Sequence, residues 1–328
     1  MKRALVTGAT GFIGRHLIVR LLQEGIFVRG LTRNKSHVGL SSDVEWVEGD
    51  VRDPQSIILA VQGIDTLFHL AGKVHELSEI RQDEEEYHSV IVDGTQNLLE
   101  AATKYGIENF IFFSSVKAMG ESTSGYVNED FGPLPKTAYG KSKLEAEKLI
   151  FHFTQKTSIK STCLRLPLVY GSGNKGNLFR MIQMIDRGFF PPLPNLRNRR
   201  SMVHVTNVVE AAILVAKNPS TKGRTYIITD AETYSTSELY QKILNYLGQS
   251  TPKWHIPLWI LKTLGYLGDM FEKVRGKKSF INSEALEKLL GEALYSSDKI
   301  SRELGYLPSV SFDSALPELI NWYKKDRS

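Results

Sequence analysis

Tyr139 and Lys143, within Tyr139-Gly140-Lys141-Ser142-Lys143, stand four residues apart, which puts both side chains on one face if the segment is helical. Free tyrosine ionises near pH ~10, too high for easy proton exchange at neutrality, and a neighbouring ammonium favours the phenolate. The pair is therefore a candidate acid/base group for carbonyl or alcohol chemistry. Tyr-Lys pairs of this spacing are common on exposed helices. This one gains its weight from position, since it follows a glycine-rich N-terminus and an apolar run that ends in Phe113-Ser114-Ser115.

That N-terminus reads Val6-Thr7-Gly8-Ala9-Thr10-Gly11-Phe12-Ile13-Gly14, three glycines three residues apart where a strand pattern gives way to a helix pattern. One glycine allows a tight turn, one lets backbone approach a pyrophosphate, and one lets helix pack on strand, with the helix N-terminus facing the phosphates. Gly8, Thr10, Gly11, Phe12, Ile13 and Gly14 are thus dinucleotide-binding candidates. The residue that reads the adenosine ribose should lie about twenty positions further on. There the chain has Leu31-Thr32-Arg33, with no acid, and Arg33 could pair with a 2′-phosphate while its plane stacks on adenine. NADP(H) is the expected cofactor, with NAD(H) as the alternative. Asp50 and Val51 are expected at the adenine edge, and Leu70, Ala71 and Gly72 beside the ribose and phosphates.

These residues need a frame. Short apolar runs at 4–6, 27–31, 44–48, 66–70, 110–114 and 161–166 read as strands. The intervening stretches at 12–23, 84–105 and 138–154 have helical spacing, and this alternation predicts a Rossmann-type, doubly wound parallel α/β sheet. After Tyr170 the pattern loosens through PPLPNLRNRR before an apolar helix at 205–216, and 226–229 could return to the sheet. The expected division is a cofactor domain at 1–170, with the strand return near 224–230, and a smaller discontinuous substrate-binding lobe from 171–223 and 231–328.

TGATGFIG, HLAG, SSVKAMG, YGKSK and RLPLVYG, in this order and spacing, resemble the extended short-chain dehydrogenase/reductase superfamily, in its sugar-nucleotide epimerase/dehydratase branch. The resemblance spans essentially the whole chain. It implies that Ser115 hydrogen-bonds the substrate oxygen, that Tyr139 is the general acid/base and that Lys143 is its partner, also reaching the nicotinamide ribose. It further implies Ser114 nearer the nicotinamide and Pro167 and Leu168 beside its carboxamide. Two positions depart from the family pattern. Ile91 stands where an asparagine is usual, and Met119 where epimerases commonly carry a tyrosine.

Asn177 and Arg200, in GNKGNLF and NRRSMVHV, resemble the diphosphate contacts of that branch, and a guanidinium fork suits phosphate oxygens. Lys73 and His75 are candidates for facing the sugar. HLAGKVH, SSVKAMGES and NRRSMV resemble bacterial reductases and 4-epimerases of UDP-N-acetylhexosamines. The expected reaction is 4-keto reduction of a UDP-linked (N-acetyl)hexose, with a UDP-sugar 4-epimerase holding NAD as the alternative. The stretch 254–274 instead resembles the steroid- and flavonoid-reductase side of the superfamily, which keeps a hydrophobic carbonyl or alcohol open as substrate. The same stretch is expected to be a lobe helix packing over the cofactor domain, with an amphipathic membrane-surface helix as the other reading. A regulatory protein that kept the fold and lost the chemistry would be expected to lack the tyrosine or the lysine, and both are present with Ser115.

Composition narrows the remaining classes. The 328 residues are 41% hydrophobic and 23% charged, ordinary for a globular chain. Cys163 is the only cysteine, so no internal disulfide can form, and a cytoplasmic location is expected. The net charge of +5 is spread among 36 acids rather than gathered in a stripe, which argues against a nucleic-acid partner. The apolar N-terminal run is broken by Thr and Gly and does not read as a signal peptide. No stretch approaches the ~18 apolar residues of a membrane span, so no membrane insertion is expected. No Cys/His set has metal-ligand spacing, so no metal is expected. The helical stretches 84–105 and 138–154 are those through which relatives often form homodimers.

Overall fold

The computed structural model describes residues 1–35, 42–72, 81–120, 125–132, 134–275 and 282–327. In chain order the first half contains β1 (Arg3–Thr7), α1 (Phe12–Gln23), β2 (Phe27–Thr32), β3 (Val44–Glu48), α2 (Pro54–Val61), β4 (Thr66–His69), α3 (Arg81–Tyr87), α4 (Gly94–Lys104), β5 (Asn109–Ser115) and α5 (Ala138–Lys156). There follow β6 (Lys160–Leu166), β7 (Leu168–Tyr170), α6 (Asn177–Asp186), β8 (Arg200–His204), α7 (Val205–Lys217), β9 (Arg224–Ile227) and β10 (Thr233–Tyr234). The chain closes with α8 (Thr236–Leu247), α9 (Leu258–Arg275), α10 (Ser283–Leu290), α11 (Asp298–Leu304) and α12 (Phe312–Arg327).

Seven strands form one sheet in the order β3-β2-β1-β4-β5-β6-β9, every neighbouring pair parallel. This is the doubly wound Rossmann-type arrangement, and the order reverses direction beside β1, where a crevice opens at the strands' carboxyl ends. The period-two alternation of the strands feeds two cores. Ala4, Val6, Phe68, Ile111 and Phe113 pack with Leu17, Leu21 and Val208 from α1 and α7. Leu5, Leu67, Phe110 and Phe112 pack with Ile57, Leu98, Leu99 and Ile150 from α2, α4 and α5. β9, aligned as Thr162↔Arg224 through Arg165↔Ile227, is the strand return expected near 226–229.

A second, three-stranded sheet runs β10-β8-β7, and the sequence reading did not anticipate it. β8 ends at His204, because Val205 already opens α7. The His204 ring, accepting from the Thr206 amide, caps that helix. A third core, built from α6, α8 and α12 with Leu261 and Leu286, fills the lobe.

The stretch 84–105, expected as one helix, is three pieces: α3, a wider π-type turn at His88–Asp93, and α4. Ile91, at the place of the family's asparagine, is buried in that wider turn. The stretch 254–274 also differs from expectation. α9 packs through Leu261 and Gly265 on α10, and several of its other side chains face outward.

Candidate active site

The glycine turn leaves β1 and enters α1 with no room for side chains. Gly8 has φ +64, and a Cβ there would lie 2.7 Å from the Leu70 carbonyl carbon. A Cβ on Gly14 would overlap the Gly8 carbonyl oxygen. Gly11 opens α1 without a side-chain cap, so the first amides of the helix keep their donors for an anionic ligand. This cradle, which any side chain would fill, fits a dinucleotide pyrophosphate. Phe12 stands against His16, the rings 5.2 Å apart, and that ring meets the Ser172 carbonyl at 3.2 Å.

The loop after β4 is tied to the turn by a buried hydrogen-bond chain. The Ala71 amide donates to Thr7 Oγ1 at 3.1 Å, Thr7 meets His69 Nδ1 at 2.8 Å, and His69 Nε2 meets Thr95 Oγ1 at 3.0 Å. Thr95 spends its one hydroxyl hydrogen on the Ile91 carbonyl, so His69 must donate from Nε2 and accept at Nδ1. Burial, aided by the charge of Lys143, pushes the His69 pKa down to about 3, which fits a neutral ring. His69 is thus a structural bracket between the turn, the β4 loop and the π-type turn. Among the described residues no group of His, Cys, Asp and Glu could hold a metal ion.

α5 begins at Thr137, whose hydroxyl accepts from the Gly140 amide at 3.1 Å and sets the first turn that carries Tyr139. Tyr139 is half-buried, edge-on to Tyr87 with ring centroids 5.8 Å apart. One turn on, Lys143 is buried, and its Nζ donates to the Phe113 carbonyl at 2.7 Å and lies 5.9 Å from the centre of the Tyr139 ring. A Cβ on Gly72 would be 3.7 Å from that nitrogen, so the β4 loop and the lysine are neighbours. Burial lowers the Lys143 pKa to about 8, and the carboxylate of Glu147 opposes the fall.

Ser115, at the end of β5, accepts from the Lys117 amide and donates to the Leu166 carbonyl at 3.4 Å. Ser114, one residue earlier, is buried, and its hydroxyl donates at 2.5 Å to Glu147. Glu147 also takes both prongs of Arg165, at 3.0 and 2.7 Å, in a buried pair. Sequence reasoning missed Glu147, Arg165, Thr7 and Thr95. The available signal was spacing, since Glu147 repeats the four-residue step from Tyr139 to Lys143 on the same helix face.

The remaining candidates spread outward. Arg33 is exposed just past β2, and its charge reaches Asp50. The carboxylate of Asp50 is held below its usual range by the Arg52 guanidinium, bonded at 3.0 and 2.6 Å. Val51 is buried, and its carbonyl accepts from Asn97. Leu70 and Ala71 line the far side of the turn, and Gly72 lies beside Lys143. Pro167 links β6 to β7, and Leu168 is partly exposed at the start of β7. Asn177 opens α6, and Arg200 opens β8, where it pairs with Tyr234 and bridges to Ala293. Lys73 and His75 lie outside the described residues.

A model of the NAD dependent epimerase/dehydratase family matches residues 4–229, and the chain belongs to that family of extended short-chain dehydrogenase/reductase enzymes. The N-acetyl-alpha-D-glucosaminyl-diphospho-ditrans,octacis-undecaprenol 4-epimerase of Escherichia coli O157:H7 is 29% identical, over 97% of this chain and 94% of that protein. The 3 beta-hydroxysteroid dehydrogenase/Delta 5-->4-isomerase of Mycobacterium tuberculosis is 28% identical, over 98% and 90%. The fold is shared with the Thermus thermophilus UDP-glucose 4-epimerase solved with NAD, at a TM-score of 0.77 and 22% identity over 98% of this chain and 99% of that one.

Proposed function

We propose that the protein is a nicotinamide-dependent oxidoreductase acting on a diphosphate-linked sugar, and that its reaction is reduction of a 4-keto (N-acetyl)hexose carried on UDP. The observation that carries the reading is the Tyr139–Lys143 face of α5, buried behind the lysine and open at the tyrosine, beside a loop that abuts the glycine cradle. The dinucleotide supplies the hydride when bound. Gly8, Gly11 and Gly14 leave space for its pyrophosphate, with Thr10 and Ile13 along the same turn, and Asp50 and Val51 stand toward the adenine side.

Tyr139 donates the phenolic proton to the substrate oxygen as it gains negative charge, and Ser115 turns its hydroxyl hydrogen from the Leu166 carbonyl, 3.4 Å away, to the same oxygen. Lys143 acts as an ammonium. Its charge favours the phenolate left on Tyr139, and its Nζ–H groups not bonded to Phe113 are available to the nicotinamide ribose. Asn177 and Arg200 are the proposed diphosphate contacts, with Lys73 and His75 near the sugar. Residues 1–170 and the returning strand form the cofactor domain of this reading, the rest forms the substrate lobe, and two copies pair through α4 and α5.

Arg33, standing just past the end of β2 where an acid would select NAD, supports NADPH and net reduction. The names of the relatives favour a second reading, a 4-epimerase that keeps NAD and returns the hydride to the same sugar. The steroid relative keeps a hydrophobic alcohol as the third. Mass spectrometry of nucleotides released from the purified protein separates them. Release of NADP without NAD, with NADPH-dependent loss of a UDP-4-keto-hexosamine, is the expected result. Tightly bound NAD with interconversion of 4-epimers would replace the reductase by the epimerase, and turnover of apolar alcohols alone would overturn the sugar substrate.

A further inference from the structure

The lobe exposes an aromatic and apolar surface that the proposed chemistry does not use. On and just before α9, Trp254 is 63% exposed, Trp259 69%, Tyr266 68% and Met270 64%, with Leu267 and Phe271 also outward. The opposite side of the helix is closed: Leu261 is buried, and a Cβ on Gly265 would lie 2.6 Å from Leu286 Cδ1 of α10. An apolar face of this extent on a folded chain marks a contact surface.

Charge on the two sides is sorted. Both acids of α9 point toward the lobe, where Asp269 accepts from the Ser283 amide at 3.0 Å and Glu272 from Asn282 at 2.9 Å. Lys253 and Lys262 are exposed among the aromatic residues. The outer side therefore joins tryptophan, tyrosine and aliphatic side chains to cations, with the carboxylates turned away. Tryptophan and tyrosine favour the boundary between water and hydrocarbon, and lysine favours anionic headgroups. No described helix is long and apolar enough to cross a membrane, but an 18-residue helix offers about 27 Å of length to lie in one.

We infer that the outer face of α9, with Trp254 and Lys253 before it, seats the protein on an anionic lipid bilayer. The seat is joined to the lobe's interior. The Ile256 amide donates to the Pro192 carbonyl at 2.9 Å, in the loop that leads to Arg200. α10, which packs under α9, leads into Ala293, whose backbone pairs with Arg199 and Ser201. With a diphosphate-linked sugar as substrate, which rests on the function proposed above, the seat gives access to a diphosphate carried by a lipid as well as one carried by uridine.

Flotation of the full chain with vesicles, without nicotinamide or sugar, tests the seat independently of the redox reading. Binding to phosphatidylcholine mixed with phosphatidylglycerol, weakened by salt and by omission of the anionic lipid, is expected. Trp259→Ser with Met270→Ser should lower partitioning by at least roughly tenfold. Lys253→Ala with Lys262→Ala should lower it roughly thirtyfold. Both variants should keep the thermal midpoint and the nicotinamide affinity of the parent. No flotation of the parent, or equal flotation of the variants, would overturn the inference. So would self-association in sedimentation that Trp259→Ser/Met270→Ser abolishes, since a second copy would then cover the face.

Discussion

The face of α5 that carries Tyr139, Lys143 and Glu147 and the face of α9 that carries Trp259, Tyr266 and Met270 are each one side of a helix, under opposite constraints. On α5 the lysine and glutamate are buried, and each polar atom has a designated partner: Lys143 the Phe113 carbonyl, Glu147 the Ser114 hydroxyl and Arg165. On α9 the large side chains touch solvent, while Asp269 on the inner side accepts from the Ser283 amide. A buried polar group without its partner costs free energy, whereas an exposed apolar one costs the fold little. Changes on α5 should therefore be read in catalysis or stability, and changes on α9 in neither.

The largest effect belongs to Tyr139→Phe. Removing the phenolic hydroxyl deletes the proton donor and leaves the ring against Tyr87, so turnover should fall roughly a thousandfold while the dinucleotide still binds. Steady-state rates with cofactor titration check this. Retained turnover would break the assignment of α5 as the chemical face.

Next is Glu147→Gln. It leaves Arg165 buried without its counter-charge, and the loss should be about 3 to 5 kcal/mol, measured by the shift of a urea midpoint. Glu147 also opposes the burial that lowers Lys143, so the alkaline limb of activity should move to lower pH in the variant. A purely structural role would change the midpoint without moving that limb.

In the parent, rising pH acts in opposite senses on stability and on activity. Lys143 falls from 10.5 to about 8 on folding, so above pH 8 the unfolded chain holds a proton the native one lacks. Its contribution to stability therefore rises with pH across that window, by about 1.4 kcal/mol per pH unit, while activity that needs the ammonium declines. His69, pushed from 6.5 to about 3, gives the same sign on the acid side, where stability is lost as pH falls below 6.5. Denaturant midpoints and rates measured over the same pH series would reveal the divergence.

These contrasts also explain what could be read from the sequence. The glycine turn and the Tyr-Lys step are legible because backbone collisions and helix geometry tolerate few alternatives: Gly8 and Gly14 have no space for a Cβ. The strands themselves follow from alternation, and all six expected strands with the later return are present. The break of 84–105 was not legible, because a π-type turn adds one residue to a pattern that stays apolar on the same side. The small sheet of β7, β8 and β10 escaped for another reason, its strands being two to five residues long with partners far along the chain. Glu147 and Arg165 each look like surface charges when read singly, and only the fold brings them together.

A smaller effect is expected at the rim of the cofactor crevice. Arg33→Ala removes an exposed guanidinium whose proposed partner is a ribose phosphate, so the KM for NADPH should rise roughly tenfold with NADH unaffected. Equal changes with both cofactors would remove the argument for NADP(H).

The smallest effect tests the α9 side alone. Trp259→Ser deletes an indole that is 69% exposed, and the thermodynamic change should stay within about 0.5 kcal/mol. The contrast is sharpest with Tyr170→Phe, a change of one oxygen. Tyr170 is 1% exposed and donates at 2.8 Å to Asp230, which also accepts from the His204 amide and Asn207. Losing that donor should cost about 1 to 3 kcal/mol, more than deleting the whole indole. If thermal melts ranked the two variants the other way, Trp259 would be packed in the native protein, and the face it occupies would belong to the core of an assembly rather than to an open surface.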